Sequence, residues 1–358
     1  MRKSAALYAV ALPLLVSAVA CGQRQSNGVF VMTNNSNRNT VTAFTIDSHG
    51  KLVSAGQSVG TEGKGSGSSI NPLGSQGSLA VSKNGNWLFA LNAGSNEISV
   101  FRINNNKLSF VSKTSSLGQF PASIATYGNQ IFVLNKKGTP PSITGFTNKN
   151  GVLIAIDKEK AVRQLPPGTY TQIGISPNGK WLVVSNESAN TLLVYALTGD
   201  TLTSSLQTLA TSGSSPAAFA FDKRNNLLVV GSSSGTVSSY SLSTDGITVI
   251  TSTLSTGQTM PRWIVCNGDY AYTSTSTSNI ITALAVNNSG QLTIINTYSS
   301  GSNSTTELAI SPTGNYLYTF DPRTNTIYRF HVNSHGELTA VDNVIDFFGV
   351  AAQGIAAS

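Results

Sequence analysis

The sequence predicts an all-β chain, a seven-bladed β-propeller of four-stranded antiparallel blades. Three observations support this prediction: a turn-and-strand pattern recurs seven times, each repeat holds three turns, and the C-terminal segment resembles a strand that the first repeat lacks. A period of roughly 40 to 50 residues with four short strands is typical of propeller blades. No stretch of the mature chain shows a helical periodicity that competes with this interpretation.

The clearest copies of the repeat combine a tight turn with a strand of apolar, aromatic and β-branched residues. Residues 82–92, 176–186 and 311–321 each carry Asn-Gly or Thr-Gly shortly before Trp or Tyr. Tight hairpin turns need positive φ, which Gly and Asn adopt at little cost. Two further turns follow in each unit, so we expect four strands per unit. The residue six positions before the apolar start of each third strand serves as a landmark for the units. The seven landmarks are Asn35, Asn92, Asn135 (offset by a two-residue insertion), Asn186, Gly231, Thr275 and Asp321.

The two ends of the chain predict how the ring closes. The first unit has no strand before residues 28–32, whereas the chain ends with a surplus strand at residues 353–358. That segment aligns with residues 76–82, which lead the second unit. We therefore expect the C-terminal strand to be the inner strand of the N-terminal blade, an arrangement that pairs edges which would otherwise invite aggregation.

The N-terminal residues predict export and lipid anchoring. Residues 1–20 have the charged-then-apolar order of a secretory signal and are too short and too interrupted by Pro13 for a membrane span. The small residues before Cys21 resemble the lipobox of bacterial lipoproteins, which implies cleavage and diacylation at that cysteine. Two acyl chains suffice for stable anchoring. We expect residues 21–27 to be a tether, residues 28–358 a single propeller domain, and the location to be the periplasmic side of the outer membrane.

Composition excludes several classes of protein. The chain has 22 basic and 15 acidic residues, scattered and together only 10% of the sequence, so a nucleic-acid footprint is not expected. Cys266 is the only cysteine besides Cys21, which rules out an internal disulfide, and its apolar surroundings predict a buried, inert thiol. No His, Cys and carboxylate cluster has metal-ligand spacing, so neither a metal nor another cofactor is expected. We expect a monomer.

The strands at residues 31–34, 132–135 and 182–186, the last of them preceded by Ser-Pro-Asn-Gly, resemble those of YVTN-type and lactonase-type seven-bladed propellers over residues 28–358. That family includes 6-phosphogluconolactonases, and the resemblance implies a site of His, Arg and Glu at the mouth of the central channel. The histidines implied near residues 166–176 are missing here. His49 and His335 lie in third turns and His331 lies in a strand, so none of the three is expected to be catalytic.

The candidate site follows from the resemblance and from propeller topology. Loops that join blades share a face with the turns between second and third strands, and this face is expected to carry the long Gly- and Ser-rich segment 60–77, predicted to be mobile. The resembled family has an Arg-His pair at the start of an inner strand, and Arg262 matches its Arg. Glu187 resembles the family's acidic turn residue. These two residues are therefore the catalytic candidates. The predicted ligand-binding residues are Arg262, Trp263, Glu187, Glu307, Tyr170 and Gln172.

Two functions remain open on the sequence. The missing histidines and the Ser-, Thr- and Asn-rich surface favour a membrane-anchored scaffold that binds a small polar ligand or an envelope protein without catalysis. The alternative is a lactonase that hydrolyses a sugar or other lactone with a rearranged site, because lactone hydrolysis needs a base to activate water and a cation to stabilise the oxyanion. The same residues have a competing interpretation, in which Trp263 packs between blades and the charged residues are solvated residues of the loops.

Overall fold

The computed structural model describes residues 28–67, 69–156, 161–199, 201–275, 277–302, 305, 307–346, 348–349 and 351–358. The described residues form seven antiparallel sheets and contain no α-helix. The predicted signal sequence, the lipidation site Cys21 and the tether lie outside the described residues. Within the described part of the chain, we find no helix that is long and apolar enough to cross a membrane.

The seven sheets are the blades, numbered here in chain order with their strands given from the central channel outward. Blade 1 contains β29 (Ile355–Ala357), β1 (Val29–Met32), β2 (Thr40–Ile46) and β3 (Leu52–Gly60). Blade 2 contains β4 (Leu79–Val81), β5 (Trp87–Asn92), β6 (Glu97–Asn104) and β7 (Lys107–Ser115). Blade 3 contains β8 (Gln119–Tyr127), β9 (Gln130–Lys137), β10 (Ser142–Lys149), and β11 (Val152–Ala155) with β12 (Val162–Gln164).

Blade 4 contains β13 (Tyr170–Ile175), β14 (Trp181–Asn186), β15 (Thr191–Thr198) and β16 (Thr201–Ala210). Blade 5 contains β17 (Pro216–Phe221), β18 (Leu227–Gly231), β19 (Thr236–Ser243) and β20 (Gly246–Ser255). Blade 6 contains β21 (Pro261–Cys266), β22 (Tyr270–Thr275), β23 (Ile280–Val286) and β24 (Leu292–Ser299). Blade 7 contains β25 (Glu307–Ile310), β26 (Tyr316–Asp321), β27 (Thr326–Val332) and β28 (Leu338–Ile345).

The predicted fold is confirmed, including the division into seven units. Five of the predicted landmarks are the last residues of the second strands of blades 2, 4, 5, 6 and 7. Blade 3 departs slightly from the pattern, because β11 and β12 pair in turn with β10 and together form its outer strand. The turns have the backbone conformation that the repeat predicted: Gly85 and Gly179 adopt φ of 70° and 72°, values that residues other than Gly and Asn rarely adopt.

The closure of the ring is also confirmed. The C-terminal strand β29 pairs antiparallel with β1, with Val31 opposite Ile355 and Val29 opposite Ala357. Further backbone bonds flank this ladder, from Gln353 to the Met32 carbonyl at 3.1 Å and between Ser358 and Gly28 at 2.9 Å. The first blade is therefore built from both ends of the described chain.

Burial follows the position of a strand within its blade. A second strand such as β14 is buried along its whole length, whereas an outer strand such as β3 alternates between half-buried and exposed residues except at its two ends. Apolar side chains of neighbouring blades pack against one another, and one such cluster joins blades 5, 6 and 7 around Trp263. A strand sandwiched between two blades must be apolar on both faces, which explains its nearly continuous hydrophobic sequence.

Antiparallel topology divides the turns between two faces. The lower face carries the first turns, which join inner to second strands, and the third turns, which join third to outer strands. The upper face carries the second turns and the connections between blades, and it surrounds the mouth of the central channel. The longest of these connections is the segment 61–78 between β3 and β4, called the mouth loop below.

Candidate functional site

A β-bulge at the start of the inner strand sets up the channel mouth. In blades 3 to 6 the pairing with the second strand skips one residue, and the skipped residues are Ala122, Thr171, Ala217 and Arg262. Bulges turn a side chain away from the regular alternation of a strand. Three blades place a small side chain at this position, whereas blade 6 places a guanidinium group there.

Arg262 meets Glu187 across the mouth. Glu187 follows the second strand of blade 4, and its backbone N–H donates to the Thr169 carbonyl at 2.7 Å. Its Oε1 lies 3.9 Å from Nη2 of Arg262, and the two side chains remain 22% and 20% exposed. The predicted pair of catalytic candidates is thus brought together, although the two residues come from blades that are not neighbours.

Lys136 adds a second cation to this pair. Burial lowers the pKa of its ammonium group to about 8, an effect that Glu187 opposes and that Arg262 and Lys137 reinforce. Its Nζ donates to the carbonyls of Leu73 and Gly74 at 2.7 and 3.0 Å, which ties the mouth loop to blade 3. We refer to Lys136, Glu187 and Arg262 as the mouth cluster.

The mouth loop reaches into the channel and is fastened there. The Gln76 side chain bonds both the carbonyl and the N–H of Ile264 in blade 6, at 2.8 and 3.1 Å. Its backbone carbonyl accepts a bond from Ser123 in blade 3. The sequence predicted a mobile segment from its Gly and Ser content, whereas the structure shows that residues near its end span the channel. The carboxamide acts here as a substitute peptide group that satisfies an inner strand edge.

The mouth cluster leaves one strong donor without an acceptor. Nε of Arg262 is buried and makes no hydrogen bond within the described part of the chain. The contact between Nη2 and Glu187 is longer than a hydrogen bond. Buried cationic N–H groups are costly when unsatisfied. The arrangement therefore suits a small ligand that brings an acceptor oxygen, such as a carboxylate, a phosphate or a lactone carbonyl.

Three of the predicted ligand residues are placed within the packed protein. Trp263 is only 2% exposed and lies between blades. Burial raises the pKa of Tyr170 to about 12, and its hydroxyl donates to the Pro166 carbonyl at 2.7 Å. The Gln172 carboxamide bonds the N–H and the carbonyl of Phe219 in the next blade.

Glu307 is buried at the joint between blades 7 and 1. It is 2% exposed, and its Oε2 accepts the N–H of Ile355 in the closing strand at 2.7 Å. Burial raises the pKa of its carboxyl group to about 8. Glu307 thus holds the last inner strand in place, a role that its sequence context did not indicate.

The histidines and the cysteine lie away from the mouth cluster. His49 and His335 are exposed in third turns on the lower face, and His331 contacts the Tyr316 ring edge-on at 5.7 Å between ring centroids. Burial raises the pKa of the Cys266 thiol to about 12. Among the described residues, no group of three or more His, Cys, Asp or Glu side chains is arranged to hold a metal ion.

A cavity of ≈350 Å³ lies on the upper face between blades 1 and 2, away from the mouth cluster. Its walls carry the cations Arg38, Lys64 and Lys113 and the carboxylates Glu62 and Glu97. Lys113 pairs with Glu97 at 2.8 Å, so this part of the wall is internally neutral. The sequence offered no signal for this cavity, because its residues come from turns of two blades.

A family model described as "Lactonase, 7-bladed beta-propeller" matches the chain at residues 39–165, 142–258 and 263–348. These matches span most of the described propeller. No curated protein matches the chain at a significant level.

Several solved structures share the fold across nearly their whole length. A candidate 6-phosphogluconolactonase from Bacteroides uniformis is 18% identical, covers 92% of this chain and 99% of its own, and has a TM-score of 0.70. The periplasmic gluconolactonase of Pseudomonas aeruginosa is 16% identical, with 92% and 98% covered and a TM-score of 0.70. A functionally unknown protein from Desulfotomaculum acetoxidans is 16% identical, with 93% and 98% covered and a TM-score of 0.71. At these identities the similarity shows the fold alone.

Proposed function

The chain belongs to the family of seven-bladed β-propeller lactonases, and from this premise we propose that it is an exported, lipid-anchored propeller that binds a small anionic ligand at its channel mouth. The ligand would be a polyhydroxylated acid or its phosphate ester. The proposed binding residues are Arg262 and Lys136 for the anionic group and Glu187 for hydroxyl groups.

The unpaired Nε of Arg262 is the observation that carries this proposal. A buried guanidinium N–H without an acceptor is rare in folded proteins and often marks a site where an ion or ligand binds. Arginine binds carboxylate and phosphate through paired N–H donors, which gives both affinity and orientation. The two cations of the mouth cluster outnumber its one carboxylate, so the site favours an anion.

The membrane anchor is supported by the sequence. Residues 1–20 have the order of a secretory signal, and small residues precede Cys21 as in a lipobox. Two acyl chains on Cys21 would hold the propeller to a membrane surface. Mass spectrometry of the N-terminal peptide from membrane-extracted protein tests this part: a diacylglycerol adduct on Cys21 is expected, and an unmodified cysteine would contradict it.

Calorimetric titration tests the binding function. Gluconate and 6-phosphogluconate are the probes, because they combine an anionic group with hydroxyl groups. We expect saturable binding that Arg262→Gln weakens by about 10- to 100-fold, as is typical when one charge-assisted contact is lost. Arg323→Gln is the matched control, since Arg323 is an exposed residue of the upper face outside the mouth cluster. Equal affinities of the wild type and Arg262→Gln would refute the proposed site.

A second function, lactone hydrolysis, is favoured by the 3.9 Å contact between Glu187 and Arg262. Glu187 would take a proton from water while the water oxygen attacks the lactone carbonyl carbon, and Arg262 would stabilise the oxyanion. The ring C–O bond then breaks, and the departing oxygen receives the proton from Glu187. The products are the open hydroxy acid and the free enzyme.

Hydrolysis of glucono-1,5-lactone, followed in a pH-stat against the uncatalysed rate, tests this second function. If the protein is a lactonase, Glu187→Gln lowers kcat by at least about 100-fold while gluconate still binds. If the wild-type protein binds gluconate but does not raise the rate above the uncatalysed rate, the binding function is retained and hydrolysis of this lactone is excluded.

A further inference from the structure

The lower face carries an unbalanced arc of lysines. Beginning at the third turn of blade 1 and ending at the first turn of blade 4, the exposed lysines are Lys51, Lys83, Lys107, Lys149 and Lys180. Within the described residues, none of these five has a carboxylate within 4 Å, and Asp47 is the one acidic residue in the turns of this arc. We refer to these five residues as the basic arc.

Contacts between neighbouring turns show that the arc is continuous. In the third turn of blade 2, Asn106 bonds Thr45 of blade 1 at 2.9 Å. A Cβ at Gly151, in the third turn of blade 3, would lie 2.7 Å from the Trp87 ring of blade 2. A Cβ at Gly179, in blade 4, would lie 2.4 Å from Tyr127 of blade 3. The lysines therefore stand on one connected surface.

The other half of the lower face is different. In blades 5 to 7, Lys223 and Arg224 both pair with Asp269, and the exposed carboxylates of Asp245 and Glu337 add negative charge. The basic arc is thus a local feature and does not follow from the overall positive charge of the chain. Only a tenth of all residues are charged, which makes five unpaired lysines on half of one face a marked asymmetry.

The N-terminal end of the propeller emerges within this arc. Gly28 precedes β1 at the lower face, where a Cβ on it would lie 2.9 Å from Oδ1 of Asn106, the neighbour of Lys107. A further 27 residues precede Gly28 in the sequence. The seven residues from Cys21 onward can span on the order of 25 Å at full extension. A lipid anchor at Cys21 would consequently hold the lower face close to the membrane.

We propose that the basic arc is a membrane-docking surface for anionic phospholipid headgroups. Lysines near an anionic bilayer are attracted to its negative surface potential, and several together strengthen and orient an anchored protein. Docking through the lower face points the channel mouth away from the membrane, so the mouth cluster stays open to the surrounding compartment. The proposal shares the lipid anchor with the proposed function and is independent of the ligand at the mouth.

Lysine labelling of the exported protein tests the docking surface. The protein is incubated with vesicles of phosphatidylcholine alone or with about 30% phosphatidylglycerol, an acidic lipid of the kind that attracts basic segments. An amine-reactive ester then labels exposed lysines, which are quantified by mass spectrometry. We expect labelling of the basic arc to fall about threefold or more in anionic vesicles. Lys64 and Lys137, on the upper face, serve as internal references. Equal labelling ratios in the two vesicles would overturn the proposal.

Two triple variants separate docking from general electrostatics. Changing Lys83, Lys107 and Lys149 to Gln should lower the preference for anionic vesicles by up to about 100-fold, since each lysine near the surface contributes up to about fivefold to the partition coefficient. Changing the upper-face residues Arg38, Lys64 and Arg323 to Gln removes the same charge and should leave that dependence unchanged. Equal effects of the two variants would refute a specific surface. Gluconate titration of both variants reports separately on the mouth cluster.

Discussion

Arg329 and Asp342 form a two-point ion pair at the seam where blade 7 meets blade 1. Nε and Nη2 of Arg329 donate to Oδ1 and Oδ2 of Asp342 at 2.8 and 2.7 Å. Asp342 also accepts the N–H of Leu52 at 2.9 Å, and Arg329 donates to the Gly50 carbonyl at 2.6 Å. The pair therefore joins the last blade to a turn of the first.

Loss of this pair should destabilise the closed ring. Arg329 is 2% exposed, so Arg329→Met leaves the Asp342 carboxylate without its main partner, and we expect a cost of about 2 to 4 kcal/mol. Lys223→Met is the control, because Lys223 and Asp269 are 52% and 46% exposed and such pairs contribute less than about 1 kcal/mol. Guanidinium unfolding midpoints compare the two variants. Equal losses would contradict a special role for the seam.

Removal of the C-terminal strand should have an effect far beyond its length. Deletion of the last ten residues takes away β29, exposes the edge of β1 and leaves Glu307 without the Ile355 N–H. We expect cooperative unfolding to be lost or the Tm to fall by more than about 10 °C, because blade 1 then lacks its inner strand and β1 has an unpaired edge. Deletion of residues 22–27, outside the propeller, is the control. A melt unchanged by the C-terminal deletion would refute the closure.

Three of the connections between blades place a Gly against the Asn near the end of a second strand. The pairs are Gly63 with Asn92, Gly118 with Asn135, and Gly168 with Asn186. A Cβ at Gly118 would lie 2.4 Å from Cγ of Asn135, which is itself held by Ser116 and Thr144. Gly118→Ala should therefore cost about 1 to 3 kcal/mol through overpacking. Gly67→Ala is the control, because its nearest heavy atom would be 3.9 Å away. Chemical unfolding of both variants is the measurement, and similar midpoints would mean that the contact relaxes freely.

The buried Glu307 predicts a pH dependence of stability. Because its folded pKa of about 8 exceeds the usual 4.5, the folded state holds one more proton between these values. Stability should fall as pH rises through that window, by at most about 1.4 kcal/mol per pH unit. Lys136, whose pKa is lowered from 10.5 to about 8, acts only above that window and in the opposite direction. Glu307→Gln should make the free energy of unfolding nearly independent of pH between pH 5 and 8. A slope equal to that of the wild type would show that a group other than Glu307 causes the pH dependence.

Local patterns in the sequence were sufficient to predict the fold. Turn chemistry such as the Asn-Gly before Trp181 is a short-range signal, and seven repeats of the turn-and-strand pattern leave few alternatives to a propeller. The pairing of residues 353–358 with the first blade followed from simple alignment to the strand that leads blade 2. These predictions succeed because they depend on residues that are close together in the chain.

The site was only partly predictable, because it depends on contacts between distant blades. The sequence indicated Arg262 and Glu187, and the structure brings them together. It gave no sign that Gln76 bonds Ile264, 188 residues away, or that Lys136 holds the mouth loop. Such contacts depend on how a long connection folds over the channel, and composition reports only its Gly and Ser content.

A crystal structure of the protein with bound gluconate tests the proposed ligand site at the channel mouth most directly. We expect the carboxylate of gluconate to lie at the channel mouth and to accept a hydrogen bond from Arg262, with its hydroxyl groups within reach of Glu187. Density for gluconate only in the cavity between blades 1 and 2, or an unchanged Arg262 with no ligand at the mouth at saturating gluconate, would contradict it.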